Sequence, residues 1–392
     1  MRELEVAQRL PFDAPARAAH DAAPTDRSNV LALPPFSAVD HQRVRHLRDA
    51  RAAFPAMLAA IAGARREVLL EMYWVGDDAA GVLFRDALVA CAQRGVAVRV
   101  VYDAVGSWGL WPSWWAPLRE AGGEVLVYAP VAPWRRRFSI THVFFRDHRK
   151  LLVIDGDVAF AGGINLARPW LDVDDGGLGW RDDAIEVRGP AAREARRVFS
   201  LAWEESSGSS LDGRTPVEDG DAASASQRVS VLANRVGTRP NRLIRHAYLR
   251  AIQTAERTID IASSYFLPGP LFLLALRAAC ARGVRVRLII PKFGDVWLAA
   301  LATSSLVDGL VADGVEVYRY GPAMLHAKTA ILDRRVVTIG SHNLDTLSWR
   351  YNLECNVAVD DGAFASIVTE SFERDVASAE RIDLDAWRMR PI

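Results

Sequence analysis

The sequence predicts an α/β protein built from two similar α/β/α halves, each with a mixed sheet, that close on one pseudo-twofold site. Three observations predict it. The segment HRKLLVID at 148–155 returns as HAKTAILD at 326–333, so His-x-Lys-x4-Asp occurs twice. Both copies continue alike, with Gly162-Gly163-Ile164-Asn165 after the first and Gly340-Ser341-His342-Asn343 after the second. Helix–strand units ahead of each motif also repeat in the same order.

The elements follow in pairs. Residues 54–75 and 243–267 each read as an amphipathic helix running into a strand with a tyrosine near its end, Tyr73 or Tyr265. Residues 83–103 and 273–291 each give a helix, an Arg-Gly stop and an apolar strand. Residues 118–128 and 310–320 supply a further helix–Gly–strand unit, and each half then reaches its motif strand. Beyond the motifs, WRDDAIEVRG at 180–189 aligns with YNLECNVAVD at 351–360 and sets Asp182 opposite Glu354. The expected organisation is a poorly ordered arm over 1–40, a first half over 41–205, a Gly-, Ser- and Asp-rich linker over 206–227, and a second half over 228–385.

Bulk composition narrows the function. The chain has 392 residues, enough for two ordinary cores, and its 48 basic and 48 acidic residues balance. Without a global basic field, nucleic acid is a poor expectation as partner. Cys91, Cys280 and Cys355 form neither a paired framework nor a zinc-type spacing, and no metal or other cofactor is expected. No stretch approaches 18 apolar residues, and the N-terminus has no apolar signal region. A cytoplasmic location is expected.

Lysine usage singles out the motifs. The chain has only three lysines, Lys150, Lys292 and Lys328, and two of them stand two positions after a motif histidine. About 0.06 His-x-Lys pairs are expected by chance. Side chains two apart on a strand share a face, so His148 with Lys150, and His326 with Lys328, point the same way. A twofold arrangement would gather both histidines, both lysines, Asn165, Asn343 and Ser341 around a phosphodiester, whose oxygens need positive charge and donors. One neutral histidine attacks phosphorus, and the other, protonated, serves the leaving oxygen and then the incoming hydroxyl. Asp182 and Glu354 can each fix a histidine tautomer. The motif aspartates Asp155 and Asp333 complete the catalytic motif, but they fall on the opposite parity at the strand ends, which assigns them to structural hydrogen bonding.

The paired HxKx4D strands, each followed by G-[GS]-x-N, resemble the phospholipase D superfamily over residues 41 to 380. Within it, FRDHRKLLVIDGDVAFAGGINLA, WRDDAIEVRGPA and the segment from 325 to 359 look like bacterial cardiolipin synthases, in particular the branch lacking membrane-spanning helices. The resemblance implies transfer of a phosphatidyl group through phosphohistidine to a hydroxyl of phosphatidylglycerol, with glycerol released and no metal. It implies His148 as nucleophile and His326 as acid. Gly163 departs from a frequent serine, leaving only Ser341 to carry a hydroxyl at this position. A hydrolase of the same fold, acting on phospholipid or nucleic acid, is the alternative.

A lipid-transferring enzyme without a spanning helix must still meet a bilayer. Trp108, Trp111, Trp114 and Trp115, with Arg135, Arg136 and Arg137 after them, are expected at the headgroup level, giving peripheral association. The stretch falls where the first half is ten residues longer than the second; the alternative is a segment packed on the core. Lys292, just past a strand end, is a candidate headgroup-phosphate contact.

Overall fold

The computed structural model describes residues 37–39, 42–131, 145–211, 228–235 and 241–389. The first half runs β1 (Ser37–Val39), β2 (Gln42–Arg48), α1 (Asp49–Ala62), β3 (Glu67–Met72), α2 (Ala79–Gln93), β4 (Ala97–Asp103), α3 (Ala116–Glu120), β5 (Glu124–Tyr128), β6 (Arg146–Asp147), β7 (Lys150–Ile154), β8 (Val158–Gly162), β9 (Asp183–Arg188) and α4 (Pro190–Ser207). The second runs β10 (Val229–Ala233), α5 (Leu243–Thr254), β11 (Thr258–Ser263), β12 (Phe266–Leu267), α6 (Pro270–Ala281), β13 (Arg285–Pro291), α7 (Trp297–Ala312), β14 (Glu316–Tyr320), β15 (Lys328–Leu332), β16 (Val336–Gly340), β17 (Leu344–Asp345), α8 (Thr346–Arg350), β18 (Asn352–Leu353), β19 (Cys355–Asp360), α9 (Gly362–Ala377), β20 (Ala379–Arg381) and α10 (Leu384–Met389). Residues 37–39, read as part of the arm, form the short edge strand β1. Helix α4 extends to Ser207, two residues into the segment read as a linker.

Local chemistry sets these elements. Asp78 caps α2 by accepting the N–H groups of Ala80 and Gly81, and the buried face of that helix falls at Ala80, Phe84, Leu88 and Cys91, a helical spacing. Gly95 and Gly283, both in the left-handed region, end the equivalent helices and turn the chain into β4 and β13.

Each half forms an eight-stranded mixed sheet. The orders are β1-β2-β9-β8-β7-β3-β4-β5 and β10-β19-β16-β15-β11-β13-β14-β20. In each sheet three strands run parallel, β3-β4-β5 or β11-β13-β14, and the motif strand β7 or β15 joins them antiparallel. One core lies between the outer helices α1 and α2 and the first sheet, and a second lies between α5, α6, α7 and the second sheet. A third is shared. It joins Leu69, Val153 and Phe199 of the first half to Ile331, Val357 and Phe372 of the second, through α4 and α9.

The register fixes where chemistry can occur. Met72 pairs with Lys150 and with Tyr102, so the motif start lies at the C-terminal ends of β3 and β4. Ser263 pairs with Lys328 in the same way. The loops following β4 and β13 therefore flank the motif residues, the usual ligand position in such sheets.

Candidate active site

In each half the motif strand begins at the lysine, and the histidine precedes it. The cause is a strand exchange between halves. The N–H of His148 donates to the Leu353 carbonyl at 2.9 Å, and the N–H of His326 donates to the Arg181 carbonyl at 2.7 Å. Strand β6 lies parallel to β18, and Arg181 bridges Leu325 in parallel. Each histidine is thus held by the backbone of the half that does not contain it.

The carboxylates cross in the same sense. His148 Nδ1 lies 3.0 and 3.1 Å from the two Glu354 oxygens, and His326 Nδ1 lies 2.7 Å from Asp182 Oδ2. Both carboxylates are fully buried. Each accepts the Nδ1–H of its histidine, which leaves Nε2 as the nitrogen able to meet a substrate. The sequence alignment pairs Asp182 with Glu354 but does not reveal that each serves the other half's histidine.

The two carboxylates are supported differently. Ser341 Oγ donates to Glu354 Oε2 at 2.5 Å and accepts the Cys355 N–H at 3.0 Å. Asp182 Oδ2 instead accepts the indole N–H of Trp170 at 2.9 Å, and the Trp170 ring stands edge-on to His326 with centroids 5.1 Å apart. Gly163 explains the change. A Cβ there would lie 2.2 Å from Asp182 Oδ1, so the shorter acid occupies the space that the serine side chain takes in the second half. Trp170 was not among the residues expected here, because the RPW stretch lies outside the repeated motifs. Ser341, expected to hold substrate phosphate, is fully buried and orients Glu354.

The lysines lie beside the histidines. Lys150 Nζ donates to the His148 carbonyl at 2.7 Å and sits 4.8 Å from the Tyr73 ring centroid. Lys328 Nζ donates to Ser264 Oγ at 2.8 Å and to the His326 carbonyl. Ser264 in turn donates to Asn343 Oδ1 at 2.9 Å, while Asn165 Oδ1 accepts the Trp74 N–H at 3.1 Å. Each amide oxygen thus has one lone pair engaged, the Asn165 Nδ2 also lies 3.5 Å from the Gly163 carbonyl, and the remaining amide N–H groups are donors for an anion.

Burial dominates the electrostatics. Burial lowers Lys150 to about 7 and Lys328 to about 8, against the pull of Glu354 and Asp182. Burial lowers His148, opposed by Glu354, and it lowers His326 further, with both lysines adding to the effect. Burial alone would raise Glu354, but the His148 charge and hydrogen bond outweigh it and hold Glu354 at about 2. Asp182 is raised to about 6 by burial. Lys328 acts on His148, and Lys150 and His148 act on His326, so the two motifs share one field. An anion between them would restore the charge that burial suppresses.

Several expected residues stand elsewhere. Asp155 and Asp333 lie at the far ends of β7 and β15, in the left-handed region at φ 54° and 52°. Asp155 accepts the N–H groups of Arg65, Arg66 and Glu67, and Asp333 those of Glu256, Arg257 and Thr258. They fasten a turn to the strand start beside it and take no part in the site, about 15 Å of strand away. Lys292 pairs with Glu380 on the β20 edge at 3.0 Å, so its charge is already matched by a carboxylate and it is not brought among the motif residues. Trp115 is 1% exposed, packed on Tyr102, and Trp114 donates to Asp77 under the Arg85 guanidinium. Both belong to the fold, because the short helical turn at 112–115 rotates them inward. Trp108 and Trp111 are 72% and 76% exposed. Arg135, Arg136 and Arg137 lie outside the described residues.

Known proteins resemble this chain over both halves. The family model described as "Cardiolipin synthase, PLD-like domain" matches residues 57–177 and 248–376, one span in each half. The major cardiolipin synthase of Bacillus subtilis strain 168 is 32% identical over 351 residues, covering 88% of this chain and 71% of the relative. Cardiolipin synthase A of Pseudomonas entomophila strain L48 is 34% identical, covering 89% and 71%. Among solved structures, phosphatidylserine synthase of Haemophilus influenzae Rd KW20 aligns with a TM-score of 0.64 at 15% identity over 90% of both chains, a likeness of fold. Two motif-bearing halves that exchange backbone and carboxylates, matched on both sides by one family model, show that the chain belongs to the cardiolipin synthase family of phospholipase D-like proteins.

Proposed function

We propose that the chain is a phosphatidyltransferase of the cardiolipin synthase type, moving a phosphatidyl group from phosphatidylglycerol to a hydroxyl of a second phospholipid. The observation that carries this reading is the crossed pair of buried carboxylate–histidine contacts, His148 with Glu354 and His326 with Asp182, each with a lysine beside it. His148 Nε2 attacks the donor phosphorus. The bond from phosphorus to the glycerol oxygen breaks as His326 Nε2–H gives its proton to that oxygen, and glycerol leaves. The acceptor hydroxyl then gives its proton to His326 Nε2. Its oxygen bonds phosphorus as the bond to His148 Nε2 breaks, and both imidazoles return to their starting states. Lys150, Lys328 and the amides of Asn165 and Asn343 bind the non-bridging oxygens.

The bilayer contact completes the reading. Trp108 and Trp111 are exposed on the loop after β4, and Phe293 in the loop after β13 is joined by Trp297, Leu298 and Leu301 on the N-terminal half of α7. An apolar rim from both halves would seat the site at the headgroup level, where tryptophan partitions favourably. No helix among the described residues is long and apolar enough to cross a membrane.

Purified enzyme on phosphatidylglycerol vesicles tests the reaction. Cardiolipin with released glycerol is the expected product, and phosphatidic acid alone would overturn the transferase reading. A radiolabelled phosphoryl adduct is expected on wild type and should vanish in His148→Ala.

A further inference from the structure

The two halves diverge at one position on the rim of the site. Four residues past β4 stands Ser107, whose hydroxyl turns inward, donating to the Tyr73 carbonyl at 3.1 Å and accepting the Val75 N–H at 3.0 Å. Four residues past β13 stands Asp295, an exposed carboxylate whose Oδ1 accepts the Tyr265 hydroxyl at 2.5 Å. The Tyr265 ring is perpendicular to His326, with centroids 6.4 Å apart. No cation pairs with Asp295 among the described residues.

Asp295 still belongs electrically to the site. Burial and the two motif lysines lower His326, and Asp295 works against them. It also opposes the burial that lowers Lys328, and it acts across the seam on Tyr73. An exposed carboxylate repels a phosphodiester but is a strong acceptor for a hydroxyl. Tyr265 occupies Oδ1, which leaves Oδ2 for a donor arriving from solvent. Lys328, which interacts electrostatically with Asp295, disfavours an ammonium headgroup.

We propose that Asp295, held in place by Tyr265, is the acceptor site, accepting a hydrogen bond from one hydroxyl of a polyol headgroup and so presenting the neighbouring hydroxyl to His326. The proposal rests on the transferase reading and gives it a direction: the acceptor lipid enters on the His326 side. In the first half the equivalent side chain is consumed by its own backbone, so that side offers no matching acceptor.

The test compares wild type, Asp295→Ala and Asp295→Asn on phosphatidylglycerol vesicles, alone and with labelled glycerol or ethanol added. In Asp295→Ala the ratio of cardiolipin to phosphatidic acid is expected to fall about tenfold or more, since a charge-assisted bond is lost and water competes for the same intermediate. The preference for glycerol over ethanol should fall with it, and Asp295→Asn should lie between. A merely structural effect would lower all products together and leave both ratios in place. Unchanged ratios in Asp295→Ala, with wild type forming cardiolipin, overturn the acceptor site and spare the transferase reading. Wild type forming only phosphatidic acid overturns both. Loss confined to products made on added phosphatidylethanolamine would show a site for ammonium and overturn the hydroxyl assignment.

Discussion

His148 and His326 each bind a carboxylate through Nδ1, yet the two pairs are built from different parts. Glu354 reaches its histidine with a serine behind it, and Asp182 does so with a tryptophan and a glycine. Gly163→Ala should therefore act as a selective injury. Its Cβ would meet Asp182 Oδ1 at 2.2 Å, displacing the acid that holds His326. A stability loss of about 1–3 kcal/mol is expected by thermal unfolding, with a fall in kcat larger than that of Ser341→Ala. The lysines give a pH test. Lys150 at about 7 and Lys328 at about 8 lose their protons as pH rises, while a bound anion favours the charged forms. Tungstate, whose charge is constant between pH 7 and 9, should bind more weakly across that range, by up to about tenfold per pH unit for each lysine past its pKa. Calorimetric titration reads this directly, and a flat profile would remove the lysines from anion binding. The histidines, lysines and paired acids were legible from the repeat. Trp170 was not, because its contact with Asp182 is made by a non-repeated turn whose function depends on the missing serine at Gly163.

At the scale of elements, the tryptophan-rich stretch divides. The short helical turn at 112–115 holds Trp115 inward and Trp114 against Asp77, while Trp108 and Trp111, which precede the turn, stay outside. Changing Trp108 and Trp111 to alanine should weaken flotation with anionic vesicles while leaving Tm within a few degrees. Trp115→Ala should cost about 3–5 kcal/mol of stability, as for other large buried aromatic side chains. Equal effects of both changes on flotation would remove the division. A matching patch stands on α7. A helix so uniformly apolar reads as buried, yet Trp297, Leu298 and Leu301 are exposed on its N-terminal half, and its buried residues begin at Thr303. Periodicity gives the faces of a helix but not how far its partner layer extends.

The whole molecule makes one site from two incomplete ones. Because each histidine is oriented by the opposite half, substitutions should group by partner and not by position in the chain. Glu354→Gln should resemble His148→Ala in losing the phosphoryl adduct, with turnover reduced about 10²–10⁴-fold. Asp182→Asn should group with His326→Ala: with a donor carrying a nitrophenolate leaving group, which needs no acid, both should still form adduct. Rapid-quench measurement of the adduct separates the groups, and loss of adduct in all four variants would sink the division of labour. The sequence by itself determined the duplicated α/β plan, the paired motif histidines and lysines, and the equivalence of Asp182 with Glu354, because repeats and side-chain parity are properties of the chain. Only the tertiary structure decided that the carboxylates cross, that Ser341 and Trp170 hold them, and that Asp295 is exposed at the rim. Those facts depend on where the shared core sets one half against the other, and no local pattern encodes that distance.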